Sequence, residues 1–315
     1  ILSNNKEELS KYAIIYANDI DVFEAANDKN KVMRVCMDND IPCPRTIFDI
    51  SSIDDIINKG ITYPIIIKPR SMYGARGFHV FKSAEELKGY VSEKGIDLSD
   101  YVIQEFIPKG SKVMGSNHFI DKNGAIKSSY LYICEHLYPE EGGTSTLNAI
   151  LDRQDILKNC EKLIKLMKLK GLVGVDLMID TRTGEGKVIE INPRPVHGIA
   201  LGFYAGINHA RQVLEDAFGL PVTEMTVKNS RICSRIMQTD VLWFLSSPDR
   251  FKRTPRKLGY RVKEQMFFWD DPLPWFAFLF SGIKDFRKKM KEKKDSSRWS
   301  QIQIRRDFQR LRTLM

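Results

Sequence analysis

Two carboxylates and an amide stand where a strand pair would bring them together. In KVIEINPRP, residues 187–195, Glu190 and Asn192 lie two apart at the end of an apolar run that Pro193 and Pro195 stop. Side chains alternate along a strand, so both point to one side. Upstream, VGVDLMID (173–180) is a second apolar run with Asp176 in its middle. The intervening TRTGEG reads as a hairpin turn near residue 183, which sets Asp176 opposite Glu190 and puts Asn192 on the same face. Two carboxylates so placed repel each other unless a cation lies between them. Hard oxygen ligands suit magnesium, or manganese in its place, with nucleotide phosphates completing the shell. A solvated strand end with surface acids is the bland alternative. It is disfavoured because Val173, Val175, Leu177, Val188 and Ile189 make the surroundings apolar, where an unpaired acid is costly.

Such a site wants a triphosphate and a cradle for it. KPRSMYGARG (68–77) follows an apolar run directly. Gly74 and Gly77 permit backbone angles that bring amide N–H groups close to phosphate oxygens. Lys68 stands at the strand end, and Arg70 and Arg76 add charge. This is not a Walker loop, which would end in Gly-Lys-Ser/Thr before a helix. A glycine-containing hairpin turn fits the stretch equally well. In VIQEFI (102–107), Gln104 and Glu105 lead into Phe106 and Ile107. The segment supplies acceptors, backbone groups and apolar walls for an adenine, and would also serve as the edge of a core.

These residues need strands and helices to hold them. YAIIYA (12–17) reads as a short buried strand, and NKVMRVCMDND (30–40) as a helix ending before Ile41-Pro42. YPIIIKP (63–69) is a β-branched run expected to be buried on both faces. GFHVF (77–81) and YVIQEFI (101–107) are further strands, with Ser83 and Glu86 as a capping box for the helix between them. Extended runs flank a turn at DKNG (121–124). A helix spans 154–169, with Leu157, Cys160, Leu163, Ile164 and Met167 on one face and Gly171 as its stop. The chain of 315 residues carries a net charge of +9, but residues 281–315 hold twelve Lys/Arg against four Asp/Glu and so account for +8 of it. Five scattered cysteines, with no CxxC among them, fit a reducing, cytoplasmic setting. No apolar run is long enough to span a membrane.

Taken in order, the strand-end lysine, the Gly-rich hairpin, the QEF strand and the VDLMID…EINPR hairpin resemble the ATP-grasp superfamily. The similarity is greatest to its carbamoyl-phosphate synthase and biotin carboxylase branch, over about residues 25–215. NDKNKVMRVCMDNDIPCPRT (27–46) is similar to that family's entry into the nucleotide-binding region. The resemblance implies an α+β fold in which two subdomains clasp ATP. The expected division is a remnant of a pre-ATP-grasp domain at 1–27, a catalytic region at 28–240 with a lid at about 45–107, and an aromatic-rich, basic extension at 241–315. The family's N-terminal Rossmann-like domain is expected to be largely missing, since the chain starts at Ile1 and little precedes the Asp28-Lys29 pair.

The resemblance also implies roles. Lys29 faces the nucleotide phosphates. Lys68 holds the α- and β-phosphates beneath Gly74, Arg76 and Gly77, in a loop (70–79) that closes as a lid. Gln104 belongs to the adenine side, Glu105 meets the adenine amino group, and the Phe106 and Ile107 backbones meet the ring edge. Asp176, Glu190 and Asn192 bind magnesium, and Arg194 contacts the γ-phosphate or an acyl-phosphate intermediate. The position where the family often has an acid for the ribose is Lys112, so the ribose ligand stays unassigned. His197 and the stretch Gly142–Ser145 are further candidates for the substrate side. The implied activity is an ATP- and magnesium-dependent carboxylate–amine ligase releasing ADP and phosphate. Activation of bicarbonate or carbamate, and a non-catalytic ATP-binding module, are the alternatives. Partners are then a small-molecule or glycan carboxylate and an amine, with no nucleic acid. DVLWFLSSPDRF (240–251) and FFWDDPLPWFAFLF (267–280) lie outside the resemblance; Trp269, Trp275 and Phe276–Phe280 are expected to cap the core. Segment 283–312 interleaves apolar and basic residues, which suits either a helix packed on its own domain or weak contact with the inner membrane face.

Overall fold

A computed structural model describes residues 1–70, 78–108, 112–139, 143–256 and 258–280. The strands are β1 (Thr46–Ile47), β2 (Ile65–Pro69), β3 (His79–Phe81), β4 (Tyr101–Glu105), β5 (Lys112–Ile120), β6 (Ile126–Tyr138), β7 (Thr144–Leu151), β8 (Gly171–Ile179), β9 (Gly186–Asn192), β10 (Ile232–Arg235) and β11 (Arg261–Glu264). The helices are α1 (Lys6–Leu9), α2 (Ile20–Asn27), α3 (Lys29–Asp38), α4 (Ile53–Asn58), α5 (Ala84–Lys94), α6 (Gln154–Leu166), α7 (Ile199–Ala205), α8 (His209–Ala217) and α9 (Met237–Ser246).

Two sheets result. The smaller, in the order β1-β4-β2-β3, is antiparallel throughout. Its buried side chains, Ile47, Ile65, Ile67 and Ile103, pack with Ile56 of α4 and Leu87 of α5. The larger sheet runs β11-β10-β7-β6-β5-β8-β9, and only its β10–β11 pair is parallel. Against it lie α3 and α6, whose Val32, Met33, Cys36, Cys160, Leu163 and Ile164 meet Val173, Val175 and Val188. α6 forms because its apolar residues recur at helical spacing and so bury one face.

Several local expectations need revision. Residues 12–17 form no strand, and Tyr12 and Ile14 are exposed. The run is anchored by side chains instead. Tyr16 stacks on Phe119 and donates to Asp216 at 2.7 Å, while Asn18 exchanges two hydrogen bonds with the Lys170 backbone. The Ser83 hydroxyl caps α5, but the Glu86 carboxylate accepts from Lys82 N–H, so the box is only half made. The full capping box is Ser52/Asp55 at α4. Helix α6 stops at Leu166, and Lys168 turns the chain with φ 54°, leaving Gly171 to open β8.

The expected boundary at residue 240 falls inside α9, and the large sheet continues to Glu264 in β11. Trp243 of α9 is buried and stacks on His136 of β6. The aromatic residues beyond do not cap the core. Trp269 is 91 % exposed, and in the helical segment 273–280 Leu273 and Phe280 are exposed too while Trp275 is half-buried. No helix among the described residues is long and apolar enough to cross a membrane.

Candidate active site

Hairpin β8–β9 sets Asp176 directly opposite Glu190 and Asn192 opposite Gly174. The register slips between Asp176 and Leu177, where Ile189 is the extra residue of β9. Such a bulge reverses the alternation beyond it. Lys187, paired with Met178, therefore shares the face of Asp176 and Glu190.

Hydrogen bonds chain the end of β9 together. Asn192 Nδ2 donates to Asp176 Oδ2 at 2.9 Å, and Arg194 Nη2 donates to Asn192 Oδ1 at 3.1 Å. Across from them, the buried Lys29 ammonium lies 3.1 Å from Glu190 Oε2. Lys29 is placed by Asp28, whose Oδ1 caps α3 by accepting from Asn30 N–H at 2.9 Å. Asp28 Oδ2 takes Arg70 at 2.6 Å, and Lys29 N–H donates to the Arg70 carbonyl at 3.2 Å. Arg70 is thus pinned to the start of α3. Lys68, at the end of β2, is held down to about 8 by burial and by Lys29, with Glu190 opposing the shift.

The Asp176 carboxyl is pushed up to about 7, first by burial and then by the Glu190 charge. The Lys29 ammonium meets Glu190 alone, so the two facing carboxylates together remain short of positive charge. A second acid pair shows the contrast. Glu105 and Asp180 sit among Lys187, which reaches Glu105 Oε1 at 2.6 Å and Asp180 Oδ2 at 3.1 Å, and Arg182, which reaches them at 3.0 and 2.6 Å. Arg182 holds Asp180 well below the usual carboxylate range. For Glu105, burial alone would raise the pKa, but Lys187, the Arg45 N–H and Arg182 together pull it down. That pair is satisfied by the protein. Asp176 and Glu190, with the Asn192 oxygen, are the donors that fit a hard divalent cation. Among the described residues no cluster of three or more His, Cys, Asp or Glu offers another metal site.

The remaining candidates fall in different places. Gln104 is buried, its amide donating to Thr46 Oγ1 at 2.8 Å. It joins β1 to β4. Both oxygens of Glu105 are occupied, Oε1 also accepting from Arg45 N–H at 3.0 Å. Phe106 N–H donates to the Pro64 carbonyl at 3.2 Å, so that amide is already taken. Gly74, Arg76, Gly77, Gly142 and the side chain of Lys112 lie outside the described residues. Ser145 of β7 donates to Asn148 Oδ1, and His197 is exposed on the segment after Arg194.

Sequence reading missed the groups that seat this segment. A Cβ at Gly174 would lie 2.6 Å from Val196, so Val196 presses onto the bare backbone directly opposite Asn192. Gly115, in register with both Asp176 and Tyr132, has the Tyr132 hydroxyl directly above it, where a Cβ would stand. A glycine within an apolar strand was the available signal for both.

The residues from 26 to 198 match the profile of the ATP-grasp domain. A D-aspartate ligase of Enterococcus faecium is 26 % identical over 247 residues, covering 72 % of this chain and 58 % of that protein. A carbamoyl phosphate synthase large chain of Methanothermobacter thermautotrophicus is 22 % identical over 71 % of this chain and 22 % of its own length. This chain therefore spans less than two thirds of either relative. Among solved structures, a biotin carboxylase–ATP complex from Campylobacter jejuni superposes with a TM-score of 0.60 at 18 % identity, over 72 % of this chain and 55 % of that one. With more than half its length matched by the domain profile, the chain belongs to the ATP-grasp family.

Proposed function

We propose that this chain is an ATP- and magnesium-dependent carboxylate–amine ligase working through an acyl phosphate. The observation that carries the reading is the convergence of Asp176, Glu190 and Asn192 with Lys29, Lys68 and Arg194 at one strand end. The similarity to a D-aspartate ligase supports it, as does the shared fold of a biotin carboxylase domain solved with MgADP and bicarbonate. Magnesium held by the two carboxylates and Asn192 would draw charge from the phosphates. Lys29 and Lys68 would bind the phosphate chain, Lys29 exchanging Glu190 for phosphate oxygens. Arg194, anchored through Asn192, would face the γ-phosphate. Ile107 N–H and the Phe106 carbonyl would take the adenine edge. Glu105 would orient this strand through Lys187 and Arg182 rather than bind adenine with its own oxygens.

Attack by a carboxylate oxygen on the γ-phosphorus breaks the bond to ADP and leaves an acyl phosphate. An amine then adds to that carbonyl, phosphate leaves and a proton is lost. Cations at the phosphates offset the repulsion between the two anions. The acid is a small molecule or a glycan carboxylate, and the site faces a reducing, cytoplasmic compartment, in keeping with five free thiols. The basic segment 283–312, outside the described residues, would add a weak electrostatic contact with an anionic membrane face.

The test is a screen of acids and amines for dependent ADP release. Phosphate must appear in equal amount. Release of AMP and pyrophosphate would mean adenylation and overturn the mechanism.

Magnesium binding should also carry a proton signature. With Asp176 raised to about 7, the folded chain holds a proton that the unfolded chain has already lost. Stability without metal then falls as pH climbs from the ordinary aspartate range to about 7. Magnesium must displace that proton, so its affinity should weaken by up to about tenfold per pH unit below this value. Calorimetry in buffers of different ionisation enthalpy should show more proton release at pH 6 than at pH 8. Equal release at both would remove the carboxylate pair from the metal site.

A further inference from the structure

Residues 249–280 carry a surface that the catalytic reading does not use. The aromatic knot of Phe267, Trp269 and Trp275 has ring centroids 5.0 and 6.1 Å apart. Gln238 at the start of α9 donates to the Trp275 carbonyl at 3.2 Å, which ties the helical residues 273–280 to α9. From there the apolar side chains turn outward. Trp269 is 91 % exposed, Leu273 73 % and Phe280 66 %. On α9 and the loop after it, Leu245 and Phe251 are exposed as well. Isolated exposed apolar residues are ordinary, but a group of large ones on one short stretch marks a binding surface.

Charge indicates what it binds. Residues 250–263 contain seven Lys/Arg and no acid, and twelve more Lys/Arg follow Phe280. Asp270 and Asp271 are the acids beside Trp269. Large aromatic and aliphatic side chains flanked by clustered cations suit the boundary between headgroups and acyl chains of an anionic bilayer. Tryptophan in particular settles at that depth.

We propose that the exposed side chains of Trp269, Leu273 and Phe280, flanked in the sequence by the basic stretches 250–263 and 284–312, insert shallowly into an anionic phospholipid surface. This goes beyond the electrostatic contact of segment 283–312, because it places an apolar anchor on the described body. It does not depend on the catalytic assignment.

The experiment uses the full chain with vesicles of phosphatidylcholine alone or with phosphatidylserine at about three parts in ten, a composition that gives a surface potential of physiological size. The variant Trp269→Ser/Leu273→Ser/Phe280→Ser alters only exposed positions, and its thermal melt should match the wild type. Co-sedimentation should show the wild type bound to the anionic vesicles and weakly to the neutral ones. The variant should bind at least about tenfold more weakly, since each buried apolar side chain contributes roughly that factor or more. At 0.5 M salt, taken as about three times physiological ionic strength, tail electrostatics are screened and the wild type should keep a residual binding that the variant lacks. Equal binding by variant and wild type overturns the proposal and leaves the tail as the sole contact. A concentration-dependent dimer in sedimentation velocity, abolished by the variant and without vesicle binding, overturns it in favour of self-association.

Discussion

Asp176→Asn and Glu190→Gln should each lower ATP turnover about a thousandfold, because each removes a charge that holds the metal at the transferring phosphate. Neither change removes core volume. The fold should survive; without magnesium, Asp176→Asn should be as stable as the wild type or more so, while Glu190→Gln, which takes the carboxylate from the buried Lys29 ammonium, should melt lower. Burial together with the facing Glu190 charge already disfavours the Asp176 carboxylate, and a neutral isostere relieves both. Asn in place of Asp176 can still accept from Asn192 Nδ2, so the end of β9 keeps its hydrogen bond. The measurements are ADP release across a magnesium titration and a thermal melt with chelator present. Wild-type turnover by either variant at limiting magnesium would show that the pair does not hold the catalytic ion. A collapse of the melt would mean that the pair serves the fold.

The Asp176–Glu190 pairing was legible because it needs only local rules. Alternation fixes the face, and a turn near residue 183 fixes the register of a short hairpin. Lys29 and Arg194 were legible in type and position from the Asp-Lys pair and the EINPR segment. Their contacts were not, since the Lys29–Glu190 bond joins residues far apart in the chain. Lys187 was not legible, for a physical reason. Strict alternation puts it on the face opposite to that of Glu190, and only the bulge at Ile189 brings it to the same face. From that face it reaches Glu105 of the small sheet and occupies a carboxylate that the motif alone assigns to adenine. The Gln104–Thr46 bond was not legible either, because Thr46 is a neighbour only once β1 pairs with β4.

Apolar runs misled where tertiary neighbours were missing. YAIIYA has the composition of a strand, yet its outward residues stay exposed and side-chain anchors hold the remainder. The aromatic stretch at 267–280 reads as core by composition, but the large sheet is already closed over by α9 through Trp243. Composition reports that apolar surface exists. Whether it faces protein, solvent or another surface is decided by topology.

Lys68→Met should lower kcat/KM for ATP by about a hundredfold, because a charged donor to phosphate is lost from a site where water is scarce. The side chain is partly enclosed beside Lys29, and burial brings its pKa from 10.5 to about 8. A lysine lowered on folding binds its proton less tightly in the folded chain than in the unfolded one. Stability should therefore rise as pH climbs from about 8 to 10.5 and be reduced by this group below that window. Methionine keeps most of the stem's packing and carries no charge, so the variant should melt higher than the wild type at pH 7 and lose the rise above pH 8. Phosphate binding reverses the balance in the wild type, since the ammonium then gains an anionic partner. Added ATP should stabilise the wild type more than the variant at pH 7. A variant with unchanged kcat/KM would take Lys68 out of the phosphate site. A variant that loses activity but gains equally from ATP would place the lysine's role after nucleotide binding, at the charge that develops as the phosphoryl group moves.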